Sequence, residues 1–391
     1  MTPLEGLRIL DLSRLLPGPF CTLLLADLGA EVVKVEDPVQ GDYMRWLPPY
    51  QGKEGAAFLS LNRNKKSIKL NLKSEKGKDI FLKLVEKYDV VLESFRPGVM
   101  EKLGLGYDVA SARNQRIIYC SISGYGQDGV YRDKPGHDLN YIGYAGVLGL
   151  TGQVDGAPVI PGVQIADIGG GALMAAVGIL AAAAARERTG RGQWVDVAML
   201  DGTIAWVAHL AAVFFAGHPP PTRGTHLLNG ASPSYSVFET KDGRYITLAN
   251  IEPKFWEELC RLLNREDLKN RLFDEGEDKG KLFAVMKEIF RTKTLDEWLK
   301  FFEGKDVCVG PAYDLNEVFV DPHILSREML VEVEHPSLGA IRQVGIPLKF
   351  SRTPGEIRTP PPGFGEHTEE ILKEIGIGDE EMAKLKEENV I

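Results

Sequence analysis

The chain has 391 residues, 44% of them hydrophobic and 26% charged, the make-up of an ordinary folded protein long enough for two domains. Its formal charge of −9 argues against a general binder of nucleic acid or of anionic membranes, which need a positive footprint, but leaves room for a local basic pocket. Cys21, Cys120, Cys260 and Cys308 are scattered through apolar stretches without metal-like spacing, so they read as reduced core residues of a cytosolic protein, with no metal centre expected.

Met1-Thr2-Pro3-Leu4-Glu5 runs into a strand with no signal-like segment. Arg8 to Leu12 reads as that strand, Leu16-Pro17-Gly18-Pro19 as a turn, and Phe20 to Leu28 as a helix closed by Gly29. Glu31 to Glu36 is a second strand, completing a βαβ unit. The alternation continues with a strand over Ser67 to Leu72, a helix from about Ser74 to Tyr88, and strands over Val90 to Glu93 and Ile117 to Ile122. This pattern predicts an α/β fold whose parallel sheet is covered on both faces and binds ligands beyond its C-terminal strand ends. Neither a Gly-x-Gly-x-x-Gly nor a Walker loop follows the first strand, so the topology is nucleotide-binding-like without support for a dinucleotide.

Ile168 to Ala185 opens on three glycines and is mostly alanine, too weakly hydrophobic for a membrane span, and a buried helix is expected. Gln193 to Val197 reads as a strand and Met199 to Ala216 as one long helix, ended by Gly217-His218-Pro219-Pro220-Pro221. Tyr235 to Asn250 patterns as a hairpin turning at Lys241-Asp242-Gly243, with charged amphipathic helices following to about Gly304. Ser232 to about Pro311 therefore reads as a second, smaller α+β domain. Thr359-Pro360-Pro361-Pro362-Gly363 is a stiff connector to a charged helical tail whose runs read as solvated faces. The C-terminal residues form no peroxisomal tripeptide or lipidation box.

Three ionisable residues stand in settings suited to chemistry. His137, in Gly136-His137-Asp138-Leu139-Asn140-Tyr141, sits at a loop-to-helix junction where a side chain can face a cleft. Asp167 opens the glycine-rich helix: it suits an N-cap, and the same free N–H groups could hold a developing enolate oxygen while the glycines admit a ligand. Glu252 precedes Pro253, which fits the first helical position. Inverting a carbon centre by proton transfer needs two such groups with tuned pKa values, one on each face.

These segments resemble the α-methylacyl-CoA racemases, a branch of the CaiB/BaiF-like family III CoA-transferases. Leu16 to Pro19, Ala26 to Val35, Phe95 to Val99, Leu103 to Gly106, Gly124 to Gln127 and Thr189 to Gln193 extend the resemblance over most of the chain. It implies an interlocked homodimer and a large CoA-binding domain begun by residues 1–198. A linker over 199–231, a small domain over 232–318 and a return segment over 319–391 follow. It also implies an acyl-CoA substrate, no cofactor beyond the CoA of that substrate, and a cytoplasmic enzyme. His137, assisted by Glu252, would serve one face of the α-carbon and Asp167 the other. The family's CoA contacts map onto Leu70, Asn71, Leu72, Lys73, Arg96, Gly136, Asp138, Leu139, Asn140 and Tyr141, with Tyr125 beside them. Arg63, Lys65 and Lys66 are expected phosphate neighbours. Racemases of this kind often carry arginine where this chain has Asp37, a loss that Lys34 or a loop lysine is available to offset. The sister transferases use the equivalent of Asp167 as a nucleophile and usually carry Tyr where this chain has His137. A non-catalytic CoA-binding role is a third reading.

Overall fold

A computed structural model describes residues 1–391. The chain divides into two compact units, the first built from Met1–Ala145, Gly162–Trp206 and Pro322–Ile391, the second from Gly146–Pro161 and Val207–Asp321. Residues 146–161, expected in the large domain, and 207–231, expected as linker, thus belong with the second unit. Arg223 joins these two segments by donating to the carbonyls of Gly149 and Gly156.

The first unit is organised by six strands: β1 (Arg8–Asp11), β2 (Glu31–Glu36), β3 (Lys65–Lys69), β4 (Val90–Glu93), β5 (Ile118–Ser123) and β6 (Trp194–Ala198). They run parallel in the order β3-β2-β1-β4-β5-β6. This is the doubly wound order of nucleotide-binding sheets, and it reverses direction between β1 and β4. A central parallel strand is buried on both faces, which is why Val33, Val90, Val91 and Leu92 are fully enclosed, and why Lys34 in the middle of β2 is buried as well. On one face Phe81 and Leu84 of α2 (Glu75–Val85) join Ile371, Leu372, Met382 and Leu385 of the C-terminal helices. Each such side chain contributes about 1.5–3 kcal/mol when removed from water. The charged tail therefore has a buried inner stripe, while its acidic and basic runs stay exposed.

Helix α1 (Pro17–Asp27) begins earlier than expected, because Pro17 sits at its first position and needs no N–H partner there. On the sheet it meets the start of the Ala-rich segment. That segment is a π-helix over Ile165–Ala172, continued by the regular helix α3 (Leu173–Thr189), and the short helix Asp138–Tyr144 packs against the π-helix. Ile165–Thr189 is long and apolar enough to cross a membrane, but its glycines are spent on close packing within the unit. A Cβ on Gly170 would lie 2.4 Å from the carbonyl oxygen of Met199 and 2.5 Å from Thr203 Oγ1, on the helix Met199–Trp206. The expected single helix from Met199 is two, Met199–Trp206 and Ala208–Phe215.

In the second unit, the hairpin strands Tyr235–Glu239 and Tyr245–Ala249 pair antiparallel around a turn in which Gly243 takes a φ of 75°. Val309–Pro311 adds a third strand. Helices Pro253–Leu262, Gly276–Phe290 and Leu295–Phe302 bury Trp256, Met286, Phe290 and Trp298 against this sheet.

Candidate active site

A cavity of about 370 Å³ opens where the sheet reverses, and the loops after four strands line it. Arg14, Leu15 and Pro17 follow β1; Ser94, Phe95 and Arg96 follow β4; Ser123 and Gly124 end β5; Met199 follows β6. Lys134, Gly136, His137, Tyr141 and Asp167 close it. The position obeys the switch-point rule for open parallel sheets. A larger cavity of about 710 Å³ lies at the opposite strand ends, but its cations are committed. Lys66 pairs with Glu370 at 2.8 Å, and Arg358 donates to the carbonyls of Ala26, Gly29 and Ala30.

The loop after β1 is held from below by buried charges. Asp11 accepts from the Ser13 N–H at 2.9 Å and from Thr22 Oγ1 at 2.6 Å, tying strand to helix. Lys34 donates to the Ser13 carbonyl and pairs with Asp42, both at 2.8 Å. Asp42 accepts the Leu15 N–H at 3.1 Å, fixing a residue whose φ is 63°. A branched side chain at positive φ persists only where its surroundings enforce it. Above this frame Arg14 donates to Tyr43 Oη at 2.9 Å and lies 5.2 Å from the centres of the Tyr43 and Phe95 rings.

His137 is the N-cap residue of Asp138–Tyr144, with extended backbone, and its N–H donates to Asn140 Oδ1 at 3.1 Å. His137 lines the cavity and remains exposed. Tyr141 is buried and donates to the Gly136 carbonyl at 2.5 Å; a Cβ on Gly136 would strike its ring at 2.7 Å. Asp167 differs from the expected N-cap: it lies inside the π-helix, a rare form found often at functional sites, and Gln164 holds the cap position. The triple glycine serves helix packing rather than ligand approach. The N–H groups of Ala166 and Asp167 donate to Asp138 Oδ1 at 2.7 and 3.0 Å, so they are not free for an enolate oxygen. Burial, then the neighbouring Asp138 carboxylate, push the Asp167 pKa up to about 6, and His137 partly opposes them. A carboxyl tuned this way can both accept and return a proton near neutrality.

The expected binding residues divide sharply. Arg96, Gly136 and Tyr141 line the cavity with His137 and Asp167. Asp138 and Asn140 are instead occupied in backbone hydrogen bonds, and Leu139 is 41% exposed on its helix. Tyr125 is buried in a tyrosine cluster, 5.1 Å from the Tyr141 ring centre. Leu70 is in the core, Leu72 packs against it, and Asn71 binds the chain end through Val390 and Asn389. Asn71 Oδ1 in turn accepts the Lys73 N–H, so Leu70 to Lys73 form a tied-down corner away from the cavity.

Arg63 is a correction: it is 2% exposed and bound to Asp27 at 2.6 and 3.0 Å, which removes it from any phosphate. Lys65 is corrected likewise, since it is fully buried between Asp11, the Pro19 carbonyl and Asn62. Lys34 is committed to Asp42 and offsets nothing at Asp37, whose side chain caps the Val39 and Gln40 N–H groups. Glu252 is the N-cap residue of Pro253–Leu262, in the second unit, with proline at the first helical position. Arg14, Arg132 and Lys134 were not anticipated; for Arg14 the signal was its place directly after the first strand, at the switch point.

Residues 4–368 match the family model of CoA-transferase family III. The chain is 38% identical over 380 residues to human succinyl-CoA:glutarate CoA-transferase, covering 95% of this chain and 86% of that protein. It is 36% identical over 397 residues to human alpha-methylacyl-CoA racemase, covering 99% and 97%. A solved CaiB/BaiF family protein from Brucella suis superposes with a TM-score of 0.83 at 31% identity, covering 96% of this chain and 99% of that one.

Proposed function

This chain belongs to CoA-transferase family III, and within that family we propose that it interconverts (2R)- and (2S)-2-methylacyl-CoA thioesters by moving the α-proton. The observation that carries the reading is that His137 and Asp167 line one cavity, with the Asp167 carboxyl raised to about 6. The thioester carbonyl acidifies the α-carbon. Ionised Asp167 takes its proton, the C–H electron pair moves into an enolate, and charged His137 returns a proton to the opposite face. Both groups end neutral, and the reverse reaction starts from that state. The competent enzyme therefore carries one proton across the pair, so kcat/KM is bell-shaped with pH in both directions.

Arg14, Arg96, Arg132 and Lys134 supply a positive rim suited to the phosphates of CoA. In this reading the protein is a cytoplasmic, interlocked homodimer, Glu252 supports His137, and CoA enters only as part of the substrate. The second reading, CoA transfer through an aspartyl thioester on Asp167, draws support from the 38% identity to a CoA-transferase.

One tube tests both. The protein is incubated with (2R)-2-methylacyl-CoA in deuterated water and followed by proton NMR. Loss of the α-proton with appearance of the (2S) epimer is expected, and loss of that activity in folded, CoA-binding His137→Ala. Without exchange, added carboxylic acids that capture CoA would identify a transferase.

A further inference from the structure

His137 and Asp167 arrive from separate segments, and one side chain joins them. Asp138 directly follows His137, and its Oδ1 accepts both the Ala166 and the Asp167 N–H, at 2.7 and 3.0 Å. It occupies the place at the start of the π-helix where an anion is favoured. We propose that Asp138 is a positioning residue, a strut that sets the separation of His137 from Asp167 and keeps a negative charge beside the Asp167 carboxyl. The inference rests on the proton-transfer reading of this site.

The strut has two separable parts. Its geometry comes from an acceptor oxygen, which Asn also provides. Its charge belongs to Asp alone, and favours the protonated form of a neighbouring carboxyl. His137, Asp138 and Tyr141 face Asp167 from one helix, and the cavity adds Arg14, Arg96, Arg132 and Lys134. The remaining elements packed on the π-helix direct their charges elsewhere. Asp27 of α1 binds Arg63, Asp196 of β6 accepts the Gln127 N–H, Asp201 of the helix Met199–Trp206 is exposed and acts on Asp196, and on α3 Arg186 binds Asp89 while Glu187 pairs with Arg116. Asp138 is thus the one carboxylate that both touches the Asp167 backbone and raises its side-chain pKa.

The test uses full-length Asp138→Asn and Asp138→Ala. The Asp167 carboxyl is titrated by carbon NMR on aspartate-labelled protein without substrate, and α-proton exchange is measured against pH. Asp138→Asn is expected to keep KM and melting temperature, to lower the Asp167 titration midpoint, and to carry the acid limb of kcat/KM down with it. Asp138→Ala is expected to lose about 100-fold in kcat, the scale of a misplacement of about 1 Å between reacting groups. An unmoved Asp167 midpoint in Asp138→Asn, or full kcat in Asp138→Ala, would overturn the proposal. Absence of exchange in the wild-type protein would instead defeat the racemase reading, and the titration would still decide whether Asp138 acts on Asp167.

Discussion

Replacing Arg63 by Met should damage the fold and leave CoA binding intact. The guanidinium holds Asp27 through two hydrogen bonds of 2.6 and 3.0 Å, and its remaining nitrogen donates to Gln343 Oε1 at 3.1 Å and the Val344 carbonyl at 2.6 Å. Arg63 is 2% exposed and Asp27 1%. After substitution, the Asn64 amide at 2.8 Å remains as a side-chain donor to the stranded carboxylate. Breaking one partner out of a buried pair costs about 3–5 kcal/mol. For a unit of this size that is roughly a 10 °C fall in melting temperature, at about 2–4 °C per kcal/mol. Adding Asp27→Asn should restore much of the loss, because the uncompensated charge is then gone. Differential scanning fluorimetry reads the stability and isothermal titration with CoA reads the affinity, expected to stay within about twofold. CoA binding weakened about tenfold at an unchanged melting temperature would return Arg63 to the phosphates and refute the burial argument.

Arg14→Gln should do the reverse, weakening CoA about tenfold by titration calorimetry with no change in melting temperature, because its guanidinium lies on the cavity rim rather than in the core. Gly170→Ala should cost about 1–3 kcal/mol in a urea melt through overpacking and cut exchange activity more than stability, since the new methyl would push the π-helix off Met199 and Thr203. Asp167→Asn should abolish exchange yet stabilise the protein above neutrality. Its folded pKa is raised from 3.8 to about 6, so the stabilising effect of the protonated form is complete below the unfolded value and lost as pH rises through about 6. Two units are worth about 3 kcal/mol, reduced to about 2 for partial solvent exposure, so the variant's advantage should grow from nil at about pH 4 to that value at about pH 7.5. Equal urea midpoints for the two proteins at both pH values would show that burial does not load this carboxyl.

Much of the fold was legible because parallel strands advertise themselves. Glu31–Glu36 and Val90–Glu93 matched the reading to the residue, because valine and leucine fill their interior positions except for the buried Lys34. The third strand in sequence was read two residues late, since Lys65 and Lys66 look like loop residues. Nothing local reveals that the ammonium of Lys65 is buried on Asp11. The same blindness made Arg63 a phosphate ligand. Charge is visible in sequence, but a partner 36 residues away, as Asp27 is, is not. At the site, His137 and Asp167 were found by their chemical type and by resemblance. The backbone contacts of Asp138 escaped because the two N–H groups that donate to it lie 28 and 29 residues further on. The glycines after Asp167 were legible as a close approach, but not which surface approaches.

The buried charges and the tuned carboxyl serve one arrangement. Asp11, Lys34, Asp42 and Lys65 satisfy one another under the loop after β1, where a bare network of loop hydrogen bonds would leave Leu15 free to relax from its positive φ. Holding that loop keeps Arg14 among the residues that line the cavity with Asp167, with its guanidinium donating to Tyr43 rather than to that carboxyl. A direct ion pair would drive the Asp167 pKa down and end its usefulness as an acid. Asp138 works in the same direction from the backbone side, adding negative charge at the point where it also fixes position. For the proposed reaction the cations must serve phosphate without pairing with Asp167, and they stand on loops that meet where the sheet reverses between β1 and β4.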